Sequence, residues 1–210
     1  MYIPEHFIET DASEVAALIT DFPLAAVVAH GSQGLLANHI PLMREGDGLL
    51  TGHIALNNDM HRVLADGSDV LAIFRGQDTY VSPNSYPTKA EHHRHVPTWN
   101  YQVVHVAGRI SFQHDDKTKR AIVGRLTKEH EVLVNGDAAW RMADAPRDYI
   151  AGMLEGIVAL RIEITGIAAK AKLSQNREAV DHAGVVRAVE AQGLDAMAAR
   201  MRKAADTDRS

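Results

Sequence analysis

The chain has 210 residues, no cysteine and twelve histidines, with 22 Lys plus Arg against 27 Asp plus Glu for a formal charge of −5. Without cysteine there is no disulfide framework, thiolate metal site or cysteine nucleophile. The negative balance argues against a globally basic nucleic-acid binder, and 46% hydrophobic with 23% charged residues describe an ordinary globular chain.

The N-terminal run Met1-Tyr2-Ile3-Pro4-Glu5-His6-Phe7 lacks the basic and apolar regions of a signal peptide. No window approaches ~18 uncharged apolar residues, so no membrane span is expected. The default location is the cytoplasm.

Asp11 to Asp21 reads as a helix capped by Asp11, with Val15, Leu18, Ile19 and Phe22 at helical spacing and Pro23 beyond it. Leu24 to His30 is an apolar strand. Gly31-Ser32-Gln33-Gly34 turns the chain, and Leu35 to Leu42 returns as the second arm of a hairpin. After the Gly46-Asp47-Gly48 turn, a strand runs from Leu49 to about Leu56. A short helix is expected over Asn58 to Ala65, and a buried strand over Asp69 to Arg75. Ser82 to Pro97 reads as a long functional loop.

Trp99 to Phe112 reads as the longest strand, with Val104, Val106, Gly108, Ile110 and Phe112 on one face. Asp115 caps a helix to about His130. A strand follows over Ile157 to Ala169, and a helix over Glu178 to Lys203 breaks near Gly193. The polar tail after Arg202 is expected to fray. About six strands with turn-rich links predict a mainly β, α+β chain built on a small barrel, as one domain over residues 1–205 with C-terminal helices at about 178–204. No glycine-rich phosphate loop is present.

Four constellations could carry chemistry. Glu91-His92-His93-Arg94-His95 has metal-type donors, but its spacing is too dense for a defined site, so no metal is assigned. His39, His53 and His105 sit in strand patterns, where they could ligate a metal, line a polar pocket, or simply be half-buried and hydrogen-bonded. Thr98-Trp99-Asn100-Tyr101 offers an aromatic face for a flat ligand and an amide that donates and accepts, or else packs a barrel mouth. Lys172-Leu173-Ser174-Gln175-Asn176-Arg177 suits a phosphate, or prepares a helix with Asn176 as its cap. No Gly-x-Ser-x-Gly elbow is present, and no catalytic acid, base or nucleophile is assigned.

Together these motifs resemble the PaiB family of FMN-binding negative transcriptional regulators. The resemblance rests on Met1-Tyr2 with Pro4 and Phe7, His39-Ile40-Pro41, Gly52-His53-Ile54-Ala55, Tyr80-Val81-Ser82-Pro83, Val96 through Tyr101 with Val104-His105-Val106, and Lys172 through Arg177 with Asp181 and Gly184-Val185. It implies a split β-barrel like that of pyridoxamine-phosphate oxidases, a homodimer, and FMN at the subunit interface. The FMN-binding residues it implies are His53, Ile54, Ala55, Asn57 and Asn58, then Thr98, Trp99 and Asn100, then Lys172, Leu173, Ser174 and Gln175.

The sequence departs from the family where Leu56 replaces an Arg, Asp59 a Pro, His61 a Trp, Gln77 a Pro and Ser85 a Trp. A lost cation at a phosphate site removes a charge-assisted hydrogen bond of about 1.5–3 kcal/mol. Lys89, Arg62 and Lys172 are candidates to replace it. The resemblance leaves three functions open: an FMN-binding regulator, a flavin-dependent oxidoreductase or haem-handling protein, and direct DNA binding. Arg177 to Lys203 holds five basic residues against four acidic, a thin footprint for DNA.

Overall fold

The computed structural model describes residues 1–207. In chain order the elements are α1 (Ala12–Asp21), β1 (Leu24–Gly31), β2 (Gly34–Pro41), β3 (Met43–Glu45), β4 (Leu49–Ala55), α2 (Met60–Val63), β5 (Ser68–Val81), α3 (Lys89–His92), β6 (Thr98–Gln113), α4 (Asp116–Asn135), α5 (Arg147–Glu155), β7 (Ile157–Lys172), α6 (Ala179–Glu190) and α7 (Asp195–Thr207). The seven strands form one sheet in the order β2-β1-β5-β6-β7-β4-β3. The pairs β1/β2, β1/β5, β3/β4 and β4/β7 are antiparallel.

The chain forms two compact units. The first comprises Met1–Leu18, Arg75–Val104 and Ala168–Ser210, and the second Ile19–Phe74 and His105–Ile167. The long strands β5, β6 and β7 contribute residues to both.

In the second unit the β1–β2 hairpin closes through Ser32-Gln33, with Gly31 paired to Gly34. Gly34 has φ +106°, a backbone state open to glycine and strained for other residues. Alternation then sorts the β6 side chains: Val104, Val106, Ile110 and Phe112 are buried, while Ala107 and Arg109 face out. Gly108 lies on the buried face, where a Cβ would stand 2.5 Å from the Glu163 carbonyl oxygen of β7. Leu50, Phe74, Val106, Ile110, Val158, Leu160 and Ile162 make the core of this unit. Asp115 caps α4 as expected, its carboxylate accepting the Thr118 amide N–H at 2.9 Å.

In the first unit α6 and α7 pack Val185, Val186, Val189, Met197, Ala198 and Met201 around Val81, Tyr86, Ala171 and Leu173. Gly193, at φ +76°, separates the two helices at the expected break. Asp11 accepts from the Ser13 amide at 2.9 Å and the Ser13 hydroxyl at 2.6 Å at the start of α1.

Several expected boundaries change. β3 is a seventh strand of only three residues. The helix expected over Asn58 to Ala65 is the single turn α2. β5 extends to Val81 because Gly76-Gln77-Asp78 continues the ladder rather than turning it. α4 extends five residues past His130, and β7 three past Ala169. Asn176 does not cap α6: Glu178 holds that position and makes no side-chain capping bond. The tail after Arg202 is helical through Thr207, and the rest of it lies outside the described residues.

Candidate functional site

Seven of the twelve expected site residues lie in the first unit. Lys172 ends β7, and its ammonium donates to the Thr98 hydroxyl at 2.6 Å and to the Trp99 carbonyl oxygen. It also stands 5.7 Å from the Phe7 ring centroid. Burial lowers the Lys172 pKa, and the neighbouring Arg177 and Lys170 cations lower it further. Lys170 lies between the Tyr2 and Tyr101 rings, at 5.7 and 5.3 Å, and Arg177 stands over Tyr86 at 5.1 Å. Among the described residues, none of these three cations has a carboxylate partner. The Trp99 indole beside them is 53% exposed.

Beneath this surface Asn100 and Ser174 are buried and bonded to each other. The amide donates to the hydroxyl at 2.9 Å, and the hydroxyl donates back to the amide oxygen at 3.1 Å. Ser174 has φ +63°, so the pair holds the chain in a left-handed turn after Lys172. Leu173 belongs to the core. The Gln175 side chain accepts from the Leu173 amide and donates to the Ala171 and His6 carbonyls. Thus Thr98 and Trp99 hold the Lys172 ammonium, whereas Asn100, Leu173, Ser174 and Gln175 build the turn that follows it.

The other five residues lie in the second unit. His53 pairs with Ala159 across β4 and β7. Its Nδ1 is buried without a hydrogen-bond partner, and burial lowers its pKa. Ile54 packs in the core, while Ala55 and Asn57 are exposed. Asn58 donates to Asn38 at 2.7 Å and accepts the Met60 amide at 2.9 Å, fixing the β4–α2 turn. Leu56 offers its carbonyl oxygen to His61 and Arg62, at 2.9 and 3.2 Å. Of the three replacement cations, Arg62 shares this turn and pairs with Asp59 at 2.9 Å. Lys89 instead bonds Asn84.

The histidine cluster resolves differently from a metal site. Among the described residues no three His, Cys, Asp or Glu side chains converge to hold a metal. The His95 side chain is buried and stacks on Tyr86 at 4.5 Å, with His92 4.9 Å away. Thr88 donates its hydroxyl proton to Asp181 at 2.7 Å, so the same oxygen accepts from His95 Nε2–H at 2.8 Å. The Thr88 amide adds a 3.1 Å bond to Asp181. Burial pushes the Asp181 carboxyl up, but the Thr88 hydrogen bonds and the nearby imidazoles together hold it below the usual carboxylate value. This network ties the 82–97 loop to α6. Sequence offered no sign of it, because Thr88 and Asp181 are 93 positions apart.

Residues 1–166 match the family described as "Putative FMN-binding domain". The chain is also 32% identical over 189 residues to "Protease synthase and sporulation protein PAI 2" of Bacillus subtilis, covering 89% of this chain and 87% of that one. The chain belongs to the PaiB family. An uncharacterised protein from Emericella nidulans is 26% identical over 93% of both chains.

In structure, the chain resembles the FAD and heme binding protein from Mycobacterium smegmatis, with a TM-score of 0.58 and 20% identity over 78% of this chain and 72% of that one. It also resembles the flavocytochrome Anf3 from Azotobacter vinelandii, with a TM-score of 0.59 and 16% identity over 81% and 72%. At such identities the likeness is one of fold, and that fold is the expected mainly β, split-barrel type with helical additions. FMN is the cofactor of the PaiB family, and the donor set present fits it. The first unit supplies cations that meet no carboxylate among the described residues, beside an exposed indole.

Proposed function

We propose that the protein is an FMN-dependent negative transcriptional regulator of the PaiB type, working as a cytoplasmic homodimer. The observation that carries the reading is the Lys170, Lys172 and Arg177 group, which meets no carboxylate among the described residues. Lys172, held by Thr98 and the Trp99 carbonyl, is the proposed partner of the FMN phosphate, and the exposed Trp99 indole is the proposed stacking surface for its flat ring. When bound, FMN supplies redox chemistry, and the protein supplies orientation and charge.

Membership in the PaiB family supports a regulatory role, and the charge distribution favours regulation without direct DNA contact. Of the five cations from Arg177 to Lys203, Arg200 pairs with Glu9 and Glu14, Arg202 with Glu190, and Lys203 with Asp11 and Glu14. These pairs neutralise most of the footprint a duplex would need. Leu35, 80% exposed in edge strand β2, supports association with a second copy. No helix among the described residues is long and apolar enough to cross a membrane.

The tests are a light-scattering mass, which gives twice the chain mass, and a low-salt gel shift with upstream DNA, which gives no retarded band. A monomer overturns the homodimer, and a specific band overturns the indirect mode. A second reading is a flavin-dependent oxidoreductase or haem-handling protein. It draws on the buried, unpartnered Nδ1 of His53, a neutral donor suited to an axial position. A Soret shift on adding haem, abolished in His53→Ala, favours it, and an unchanged haem spectrum counts against it.

A further inference from the structure

The second unit contains a cavity of about 660 Å³ whose lining includes none of the expected FMN-binding residues. Pockets of roughly 300–1,000 Å³ are the usual size for small-molecule ligands. One wall is apolar and already dry: Ile19, Leu42 and Met43 are all buried. The opposite wall is α4, which presents Arg125, Lys128, Glu129 and Val132, the i, i+3, i+4, i+7 stripe of a single helix face. Beside that stripe Leu133 is 73% exposed.

The charges around the cavity are unequal in what they already hold. Arg125 is paired with Glu45. Arg44 holds Asp47 through one guanidinium nitrogen at 2.9 Å, while its buried Nε has no partner. Among the described residues Lys128 has no ion pair. Glu129 is the lone carboxylate in the lining. The site therefore joins an apolar floor to a mouth carrying the Lys128 ammonium, which has no ion pair among the described residues.

We propose that this cavity binds an amphipathic monoanion with an unbranched apolar tail, of the class of medium-chain acyl carboxylates. The tail lies on the apolar floor and covers the exposed Val132 and Leu133, removing their surface from water. The carboxylate meets Lys128. A bulky, strongly hydrated polyanion fits less well, because the floor offers it no polar partners.

The experiment is calorimetric titration of the intact protein with decanoate and with decanol, both below their aggregation concentrations. Decanoate is expected to bind saturably at one site per chain, and decanol at least about tenfold more weakly, as loss of one charge-assisted hydrogen bond implies. Lys128→Met keeps the stem and removes the charge. It is expected to weaken decanoate to the decanol level, leave decanol unchanged, and leave the circular dichroism and FMN titration as in the wild type. Absence of saturable binding, equal affinity for acid and alcohol, or unchanged decanoate affinity in Lys128→Met each overturns the proposal. A cavity closed by a second copy of the chain gives the first of these results.

Discussion

Asn100 and Ser174 bond each other reciprocally inside the first unit, the amide donating at 2.9 Å and the hydroxyl at 3.1 Å, and Ser174 is held there at φ +63°. The pair links β6 to the turn after β7 and so sets where Lys172 begins. Removing one partner strands the other in a buried site, which costs about 1–3 kcal/mol. Asn100→Ala is expected to lower the thermal midpoint by about 2–10 °C for a chain of this size. Ser174→Gly, which accepts positive φ, is expected to cost less than Ser174→Val, which does not. Thermal unfolding followed by circular dichroism checks both, and equal losses for Gly and Val would show that the backbone state is immaterial.

Gly184 of α6 lies against the 82–97 loop. A Cβ there would stand 2.3 Å from the Ser85 carbonyl oxygen and 2.6 Å from Pro87. Backbone on one side and a ring on the other leave little room to yield. Gly184→Ala is expected to destabilise the protein by about 1–3 kcal/mol and to expose Lys89 and Arg94 to trypsin. Wild-type digestion kinetics in the variant would mean that the loop is not held by this contact.

His53 gives a pH dependence with a defined sign. Burial lowers its pKa below 6.5 in the folded chain. As pH falls, the unfolded chain therefore takes up this proton first. The contribution of His53 to stability is full above pH 6.5 and falls as the solution is acidified through the folded-state value. Urea midpoints of the wild type and His53→Asn, compared at pH 7.5 and pH 5.5, are expected to differ in slope, with the wild type losing more. An NMR titration placing the His53 midpoint above 6.5 would contradict this.

Lys172 is the cation with most at stake in the proposed flavin site. Lys172→Met is expected to weaken FMN about tenfold to a hundredfold, the worth of a charge-assisted hydrogen bond. Lys172→Arg keeps the charge and is expected to lose less. Fluorescence titration gives both Kd values, and an unchanged Kd in Lys172→Met would remove this residue from the site.

Much of the sheet was legible because one face of each strand is buried. The alternation of β6 and the Gly31–Gly34 hairpin follow directly from period-two burial and a turn that needs glycine. The exceptions have physical causes. Gly76-Gln77-Asp78 carries turn-type residues, yet the ladder holds them in β5. β3 is too short to show a period. The last turns of α4 carry exposed Val132, Leu133 and Val134, so they lack the amphipathic pattern that marks a helix.

The candidate site was legible only in part. Its residue types could be read as pocket chemistry, but the division of labour could not. That Lys172 faces outward while Leu173 is core and Ser174 is bonded inward depends on Thr98 and Asn100, 74 positions away. The His92–His95 cluster suggested metal donors by composition, and Thr88 with Asp181 made His95 a structural tie instead.

In the proposed function, this PaiB chain uses its Lys172 and Trp99 surface to hold FMN. The direct measurement is the visible absorbance of freshly purified protein, followed by titration of the stripped protein with FMN. A yellow protein, or saturable uptake at one FMN per chain with a perturbed flavin band and altered fluorescence, is the predicted result. A colourless protein that leaves the spectrum of added FMN unchanged would contradict the account.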